Sequence, residues 1–179
     1  MTTETVHTSV RSSVEVAAPI DRAFRVFTDE IGSWWDPTHH ILEGQLADMV
    51  FEPFVGGNVY DRGVDGSECR WARVLAYESP HRFVISWDVN LQWKLETDHG
   101  RTSEVEVRFT EQGPDRTLVE LEHRNLERHG EGWEQMRDAV GSPGGWPAGM
   151  RAFAELLDTR SATYPNHHEA EEEPACTQS

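Results

Sequence analysis

Basic charge, cysteine and long apolar stretches are all scarce in this chain. Lys94 is the only lysine in 179 residues, and 16 basic residues stand against 32 acidic ones, for a formal net charge of −16 and a pI near 4.8. So acidic a surface repels nucleic-acid phosphates and anionic membranes, which argues against both as partners. No run approaches the ~18 apolar residues of a membrane span, and the first residues lack the basic and apolar regions of a secretion signal. We therefore expect a cytoplasmic protein without membrane insertion.

The residue patterns of metal, cofactor and nucleophile sites are also missing. The sequence has two cysteines, Cys69 in a predicted strand and Cys176 near the C-terminus, and we expect both to be free thiols. The pairs His39-His40 and His167-His168 are adjacent, whereas a helical metal site needs histidines four residues apart. There is no Gly-x-Ser-x-Gly elbow and no glycine-rich phosphate loop. We expect neither a metal nor a cofactor.

The length of the chain predicts a single domain, which we place at residues 1–160. Residues 161–179 contain four acidic residues and no lysine or arginine, a composition typical of a disordered acidic tail. Subtracting the tail's −4 from −16 leaves −12 on residues 1–160, so the domain itself is acidic.

Hydrophobic periodicity predicts an α+β domain. Residues 10–16 alternate as a strand, and residues 19–30 have the spacing of an amphipathic helix that begins at Pro19. A loop or short second helix follows at 33–37. Period-two patterns between turn signals then predict six antiparallel strands, and two helices close the chain. The strands are placed near 45–52, 57–63, 67–77, 82–90, 102–111 and 116–123, and the helices at 131–140 and 142–158.

Several stretches together resemble one superfamily. They are the Ala18-Pro19 helix start and residues 31–35, 54–57, 79–87, 103–110 and 144–146. Over roughly residues 8–158 the chain is similar to the SRPBCC (START-like) superfamily, and within it to the group related to the C-terminal domain of the heat-shock protein 90 ATPase activator. The resemblance implies a helix-grip fold, in which a curved antiparallel β-sheet wraps around a long C-terminal helix and encloses an apolar pocket, usually for one small hydrophobic molecule.

That superfamily includes lipid carriers, hormone receptors and polyketide cyclases, so the resemblance does not select an activity. The co-chaperone that gives the group its name resembles this chain through one of its domains only. The comparison therefore does not favour a chaperone partner.

Seven tryptophans fall in the elements that would surround a helix-grip cavity. Each can either fill the core or line a site for a flat or hydrophobic ligand. Trp71, Trp87 and Trp146 are the candidates for lining.

Three polar residues accompany these tryptophans. His123 continues the inward face of its strand, where it could orient a ligand, act as an acid or base, or be a core histidine satisfied by the backbone or by a neighbour such as Glu120 or Arg124. Arg73 is predicted on the same strand face as Cys69, Trp71, Leu75 and Tyr77, an apolar face on which it needs a carboxylate, from the protein or from an acidic ligand. His129 is a candidate for the cavity mouth, with a solvated loop position as the alternative.

The leading hypothesis is a protein that binds a small hydrophobic or aromatic molecule between the sheet and the last helix. The alternatives are a cyclase, dehydratase or hydrolase that uses His123 as its catalytic residue, and a stress or chaperone adaptor with an apolar patch outside the cavity. A homodimer is left open. The predicted ligand-binding residues are Trp71, Arg73, Trp87, Phe109, His123, Trp146, Met150 and Phe153.

Overall fold

A computed structural model describes residues 7–163. The predicted tail, residues 161–179, lies outside this range apart from its first three residues, which continue the last helix. Within the described range, none of the helices is long and apolar enough to cross a membrane.

The chain begins with a strand and a helix that the sequence pattern predicts closely. Strand β1 is Val10–Val16 and helix α1 is Ile20–Asp29, with Pro19 in extended conformation just before the first helical residue. The buried residues of α1 include Phe24 and Phe27, which lie three positions apart on one face. The predicted loop or short helix is helix α2, Ile31–Trp34.

Six further strands and two helices follow in the predicted order. The strands are β2 (Leu46–Phe51), β3 (Asn58–Gly63), β4 (Glu68–Glu78), β5 (Arg82–Trp87), β6 (Ser103–Gly113) and β7 (Arg116–Arg124), and the helices are α3 (Trp133–Val140) and α4 (Trp146–Thr163). Short 3-10 helices occupy His99–Arg101 and Leu126–His129. Residues 142–145, which the sequence places in the last helix, form the turn before it.

All seven strands form one antiparallel sheet in the order β1-β7-β6-β5-β4-β3-β2. The sheet curls into a half-barrel around the C-terminal helix, so the architecture is α+β and matches the predicted helix-grip fold. β-Bulges in β2 and β4 interrupt the pairing and increase the local bend.

The concave side of the sheet is filled at one end by phenylalanines. We call this group the phenylalanine cluster, and its rings meet mostly edge to face, with centroids 4.9 Å apart for Phe27 and Phe153 and 5.0 Å apart for Phe24 and Phe109. It anchors α1 and α4 to the sheet. Its members are Phe24, Phe27, Phe51, Phe83, Phe109 and Phe153.

Candidate functional site

A cavity of about 1040 Å³ lies beside α4, between that helix, the segment after α2 and the strands β3 to β5. This is at the upper end of the volumes of small-molecule sites in proteins, ~300–1,000 Å³. Small residues of α4 leave the space open, since Ala148, Gly149 and Ala152 face it where larger side chains would fill it. The aromatic wall residues are Trp34, Trp35, Trp71, Trp87, Trp93 and Trp146.

Four of these tryptophans contact one another in a closed loop, which we call the tryptophan belt. The ring centroids of consecutive members are 5.4 to 5.7 Å apart, and most of the pairs meet edge to face or tilted. Such packing holds each indole against two others, so the belt presents preformed aromatic surface. Its members are Trp35, Trp71, Trp87 and Trp146.

Strand alternation brings an acidic residue to the same wall. In β3, Val59, Asp61 and Gly63 are buried, while Arg62 between the last two is exposed. Asp61 is fully buried, and its Oδ1 accepts a hydrogen bond of 3.1 Å from Nε1 of Trp71. Asp61 is not among the binding residues predicted from the sequence, although an acid in register with Val59 on the inward face was a signal for it.

The environment of Asp61 favours its neutral form. Burial raises the pKa of this carboxyl, and the hydrogen bond from Trp71, the nearby His40 and the backbone of Ile41 and Leu42 offset part of the effect. Its second oxygen, Oδ2, has no hydrogen-bond partner among the described residues.

The predicted binding residues divide into two groups in the structure. Trp71, Trp87 and Trp146 lie in the cavity wall. Phe109 and Phe153 belong to the phenylalanine cluster, and Met150 packs in the same core. The last three are at most 3% exposed and are absent from the wall, so their role in ligand binding stays a prediction.

His123 is a core residue with two side-chain partners. Its Nδ1 lies 3.0 Å from Nε1 of Trp146 and its Nε2 lies 2.7 Å from Oγ of Ser103, so its partners are not the Glu120 or Arg124 expected from the sequence. An indole N–H only donates, which assigns the His123 proton to Nε2. Complete burial lowers the pKa of His123 to about 3, and neighbouring His129 adds to the effect.

His123 therefore stays neutral and contacts no carboxylate in the described chain. The acid–base role expected for it needs a second ionisable group within hydrogen-bond reach inside the cavity, and His123 lies outside the cavity wall, so that role stays a prediction. What His123 does in this geometry is hold the indole of Trp146 in place.

His129 is buried, which contradicts the expected solvated loop position. It is 2% exposed, and its Nε2 lies 2.7 Å from Oγ of Ser103. The 3-10 helix Leu126–His129 places the ring in the interior, beside Ser103 of β6, rather than in solvent. Since Ser103 accepts from His123, its hydroxyl proton is directed to His129. Burial lowers the pKa of His129, and its Nδ1 has no partner.

Arg73 is satisfied within the protein. Its Nε and Nη2 each donate to a carboxylate oxygen of Asp88 at 3.0 Å, a bidentate pair, and Nη2 also reaches Thr102 at 3.3 Å. The internal carboxylate that the sequence analysis weighed against an acidic ligand is therefore present. Arg73 is not in the cavity wall.

The charge of the wall is acidic. Asp36, Asp61 and Glu155 line the cavity, His39 and His40 stand at the same segment, and no arginine or lysine is among the lining residues. A carboxylate or phosphate ligand would find no permanent cation in this wall.

Comparisons with known proteins agree with this geometry. The sequence profile of the family described as activator of Hsp90 ATPase homolog 1-like protein matches residues 17–158. A search of curated proteins found no significant match.

Solved structures with the same fold include proteins with described roles. The chain is 39% identical to an anthrahydroquino-γ-pyrone synthase, Txn09, solved in complex with a ligand designated SUM, with 83% of this chain and 96% of that chain covered and a TM-score of 0.60. It is 26% identical to the self-sacrificing resistance protein CalC from Micromonospora echinospora, with coverages of 85% and 95% and a TM-score of 0.61. Protein NE0264 from Nitrosomonas europaea, at 15% identity and a TM-score of 0.62 over 89% and 99% of the chains, shares the fold. These matches confirm the SRPBCC-type resemblance.

Proposed function

Since the chain belongs to the family of activator of Hsp90 ATPase homolog 1-like proteins, we propose that it binds a small, neutral, flat aromatic molecule in the cavity beside α4. The observation that carries the proposal is the tryptophan belt on the wall of a cavity of about 1040 Å³. Flat indole faces favour flat aromatic ligands, and burial of apolar ligand surface drives the binding.

The similarity to the synthase supports the aromatic class. The name of that synthase refers to an anthrahydroquinone-type product, a fused aromatic system of the size that a cavity this large accommodates. The acidic wall supports a neutral ligand over a carboxylate or phosphate.

Calorimetric titration with anthraquinone, a neutral tricyclic probe, tests the proposal. We expect saturable binding at one probe per chain, accompanied by quenching of tryptophan fluorescence as the probe meets the belt. Heat that never saturates, or quenching without saturation, would show that the cavity does not act as a site for this class.

Catalysis on such a ligand is a second candidate, favoured by the 39% identity to the synthase. Addition of an aryl hydroxyl across the triple bond of a neighbouring alkynyl ketone closes a γ-pyrone ring without a redox step. The new O–C bond replaces one π bond, and the hydroxyl proton moves to carbon. A cavity can accelerate such a closure by holding the two groups together and excluding water.

The corresponding experiment measures closure of an ortho-hydroxyphenyl alkynyl ketone by chromatography. A catalytic protein raises the rate above the uncatalysed reaction, and the increase disappears in Ala152→Trp, where a large side chain enters the cavity from α4. An unchanged rate leaves binding as the function of the site.

A further inference from the structure

The unsatisfied polar groups of this protein concentrate at the cavity. Four buried side-chain atoms in the described chain have no hydrogen-bond partner, and three belong to residues of the cavity wall: Oδ2 of Asp61, Nε1 of Trp34 and Nε1 of Trp87. A buried donor or acceptor without a hydrogen-bond partner is destabilising, so such groups call for an explanation. A ligand that supplies the missing partners would relieve this destabilisation on binding.

Of these three residues, Asp61 has the strongest need for a hydrogen-bond partner. Its Oδ1 accepts from Trp71 and its Oδ2 has no hydrogen-bond partner, and no lysine or arginine pairs with the carboxyl among residues 7–160. The other groups that favour its charged form are His40 and the backbone of Ile41 and Leu42. A hydroxyl group can accept from a carboxylic acid or donate to a carboxylate, and it therefore pairs with Asp61 in either protonation state. A ketone or an ether can only accept.

The second unpaired group is the indole N–H of Trp87. Its indole lies against that of Trp71, with ring centroids 5.5 Å apart, and Trp71 donates to Asp61. Asp61 and Trp87 are thus linked through one side chain, and Nε1 of Trp87 is a donor only. A carbonyl oxygen is its natural partner.

We propose that Asp61 and Trp87 form the polar end of the cavity, and that its ligand is a flat aromatic carrying a hydroxyl for Oδ2 of Asp61 and a carbonyl for Nε1 of Trp87. This inference rests on the proposed function. Both atoms are covered in the present structure, with His40 and the backbone of Ile41 and Leu42 next to Asp61. The ligand hydroxyl replaces part of that cover.

The test compares two neutral probes that differ by one group, anthraquinone and 2-hydroxyanthraquinone. Their affinities are measured by calorimetry at about pH 6, where a phenolic hydroxyl keeps its proton. The ratio of the two affinities isolates the hydroxyl contact, because a general change in cavity shape lowers both values together. We expect the wild type to prefer the hydroxylated probe roughly tenfold.

Asp61→Leu removes the carboxyl at similar shape, and Asp61→Asn keeps an acceptor for Trp71 if the leucine variant does not fold. We expect the ratio to approach one in the leucine variant and to fall in the asparagine variant. Glu111→Leu, which removes an exposed acid of β6 outside the cavity wall, should leave the ratio at its wild-type value.

The outcomes distinguish a failure of this inference from a failure of the proposed function. Equal binding of both probes by the wild type, or a preference that survives both Asp61 substitutions, overturns the polar site while the aromatic cavity stands. If neither probe binds the wild type, the proposed function fails as well.

Discussion

The buried histidine of β7 makes the stability of this protein depend on pH in a way that can be calculated. The pKa of His123 is about 3 in the folded protein, against 6.5 for an exposed histidine. Between these values the unfolded chain binds a proton that the folded chain does not. Stability from this residue is therefore complete above about pH 6.5 and is lost progressively as the pH falls towards 3.

The magnitude follows from the two pKa values. Well below the unfolded pKa, each pH unit costs about 1.4 kcal/mol of unfolding free energy. Near neutral pH the effect is only a few tenths of a kcal/mol. Between about pH 7 and about pH 5 the loss attributable to His123 is roughly 2 kcal/mol.

Replacement of the ring by an amide tests this value. His123→Gln should be less stable than wild type near neutral pH, because the hydrogen bonds to Ser103 and Trp146 are weakened. The variant lacks the protonation penalty, so the difference in stability should shrink by roughly 2 kcal/mol on going from about pH 7 to about pH 5.

Urea unfolding followed by tryptophan fluorescence gives the free energies at each pH. His129 remains in both proteins, and its contribution largely cancels. His81→Gln removes an exposed histidine from the β4–β5 turn and serves as the control for losing one histidine. A stability difference that stays constant or widens as the pH falls would refute the assignment of His123 as a neutral buried ring.

Three further predictions concern the belt, the buried ion pair and the turn before α4. Trp146→Ala should weaken anthraquinone binding roughly tenfold in calorimetry, and Trp133→Ala, outside the wall, much less; equal losses would remove Trp146 from the site. Arg73→Met leaves its buried carboxylate partner without a cation and should lower the unfolding free energy in urea by about 2 kcal/mol, whereas an unchanged midpoint would mean that the pair contributes nothing. Gly145→Ala should destabilise the protein by roughly 2 kcal/mol, because the new methyl group overlaps the backbone carbonyl at the end of α3, while Gly144→Ala meets no atom and should be neutral.

The succession of strands along the chain, and with it the order of elements typical of a helix-grip fold, was accessible from the sequence because the two faces of this sheet differ strongly in polarity. Val105, Val107 and Phe109 alternate with polar residues, and the same is true of Val119 and Leu121 in β7. Period-two patterns of this length leave little ambiguity in register.

Strand β4 shows where such pattern analysis fails. The sequence placed Trp71, Arg73 and Leu75 on one face, yet Leu75 is 38% exposed and Val74 is buried. A β-bulge at Trp71, which has no partner in β3 between the paired residues Arg70 and Ala72, inserts an extra residue and reverses the alternation before Val74. No residue type in this stretch predicts the bulge.

The candidate site was only partly predictable for a related reason. Trp71, Trp87 and Trp146 could be found because they are large residues at inward positions. Trp35 follows a short helix, where periodicity does not assign a face. The partners of His123 and the burial of His129 depend on Ser103, which is 20 and 26 residues away along the chain. Such long-range contacts are set by packing rather than by local pattern.

The most direct test of the central claim is to fill the cavity from α4 and measure anthraquinone affinity. Ala152 lines the cavity, and Arg151 beside it is exposed and outside the wall, so Ala152→Trp and Arg151→Trp place the same side chain inside and outside the site. We predict that Ala152→Trp lowers the affinity roughly tenfold or more while Arg151→Trp leaves it near the wild-type value. Equal affinities in the two variants would contradict a ligand site in this cavity.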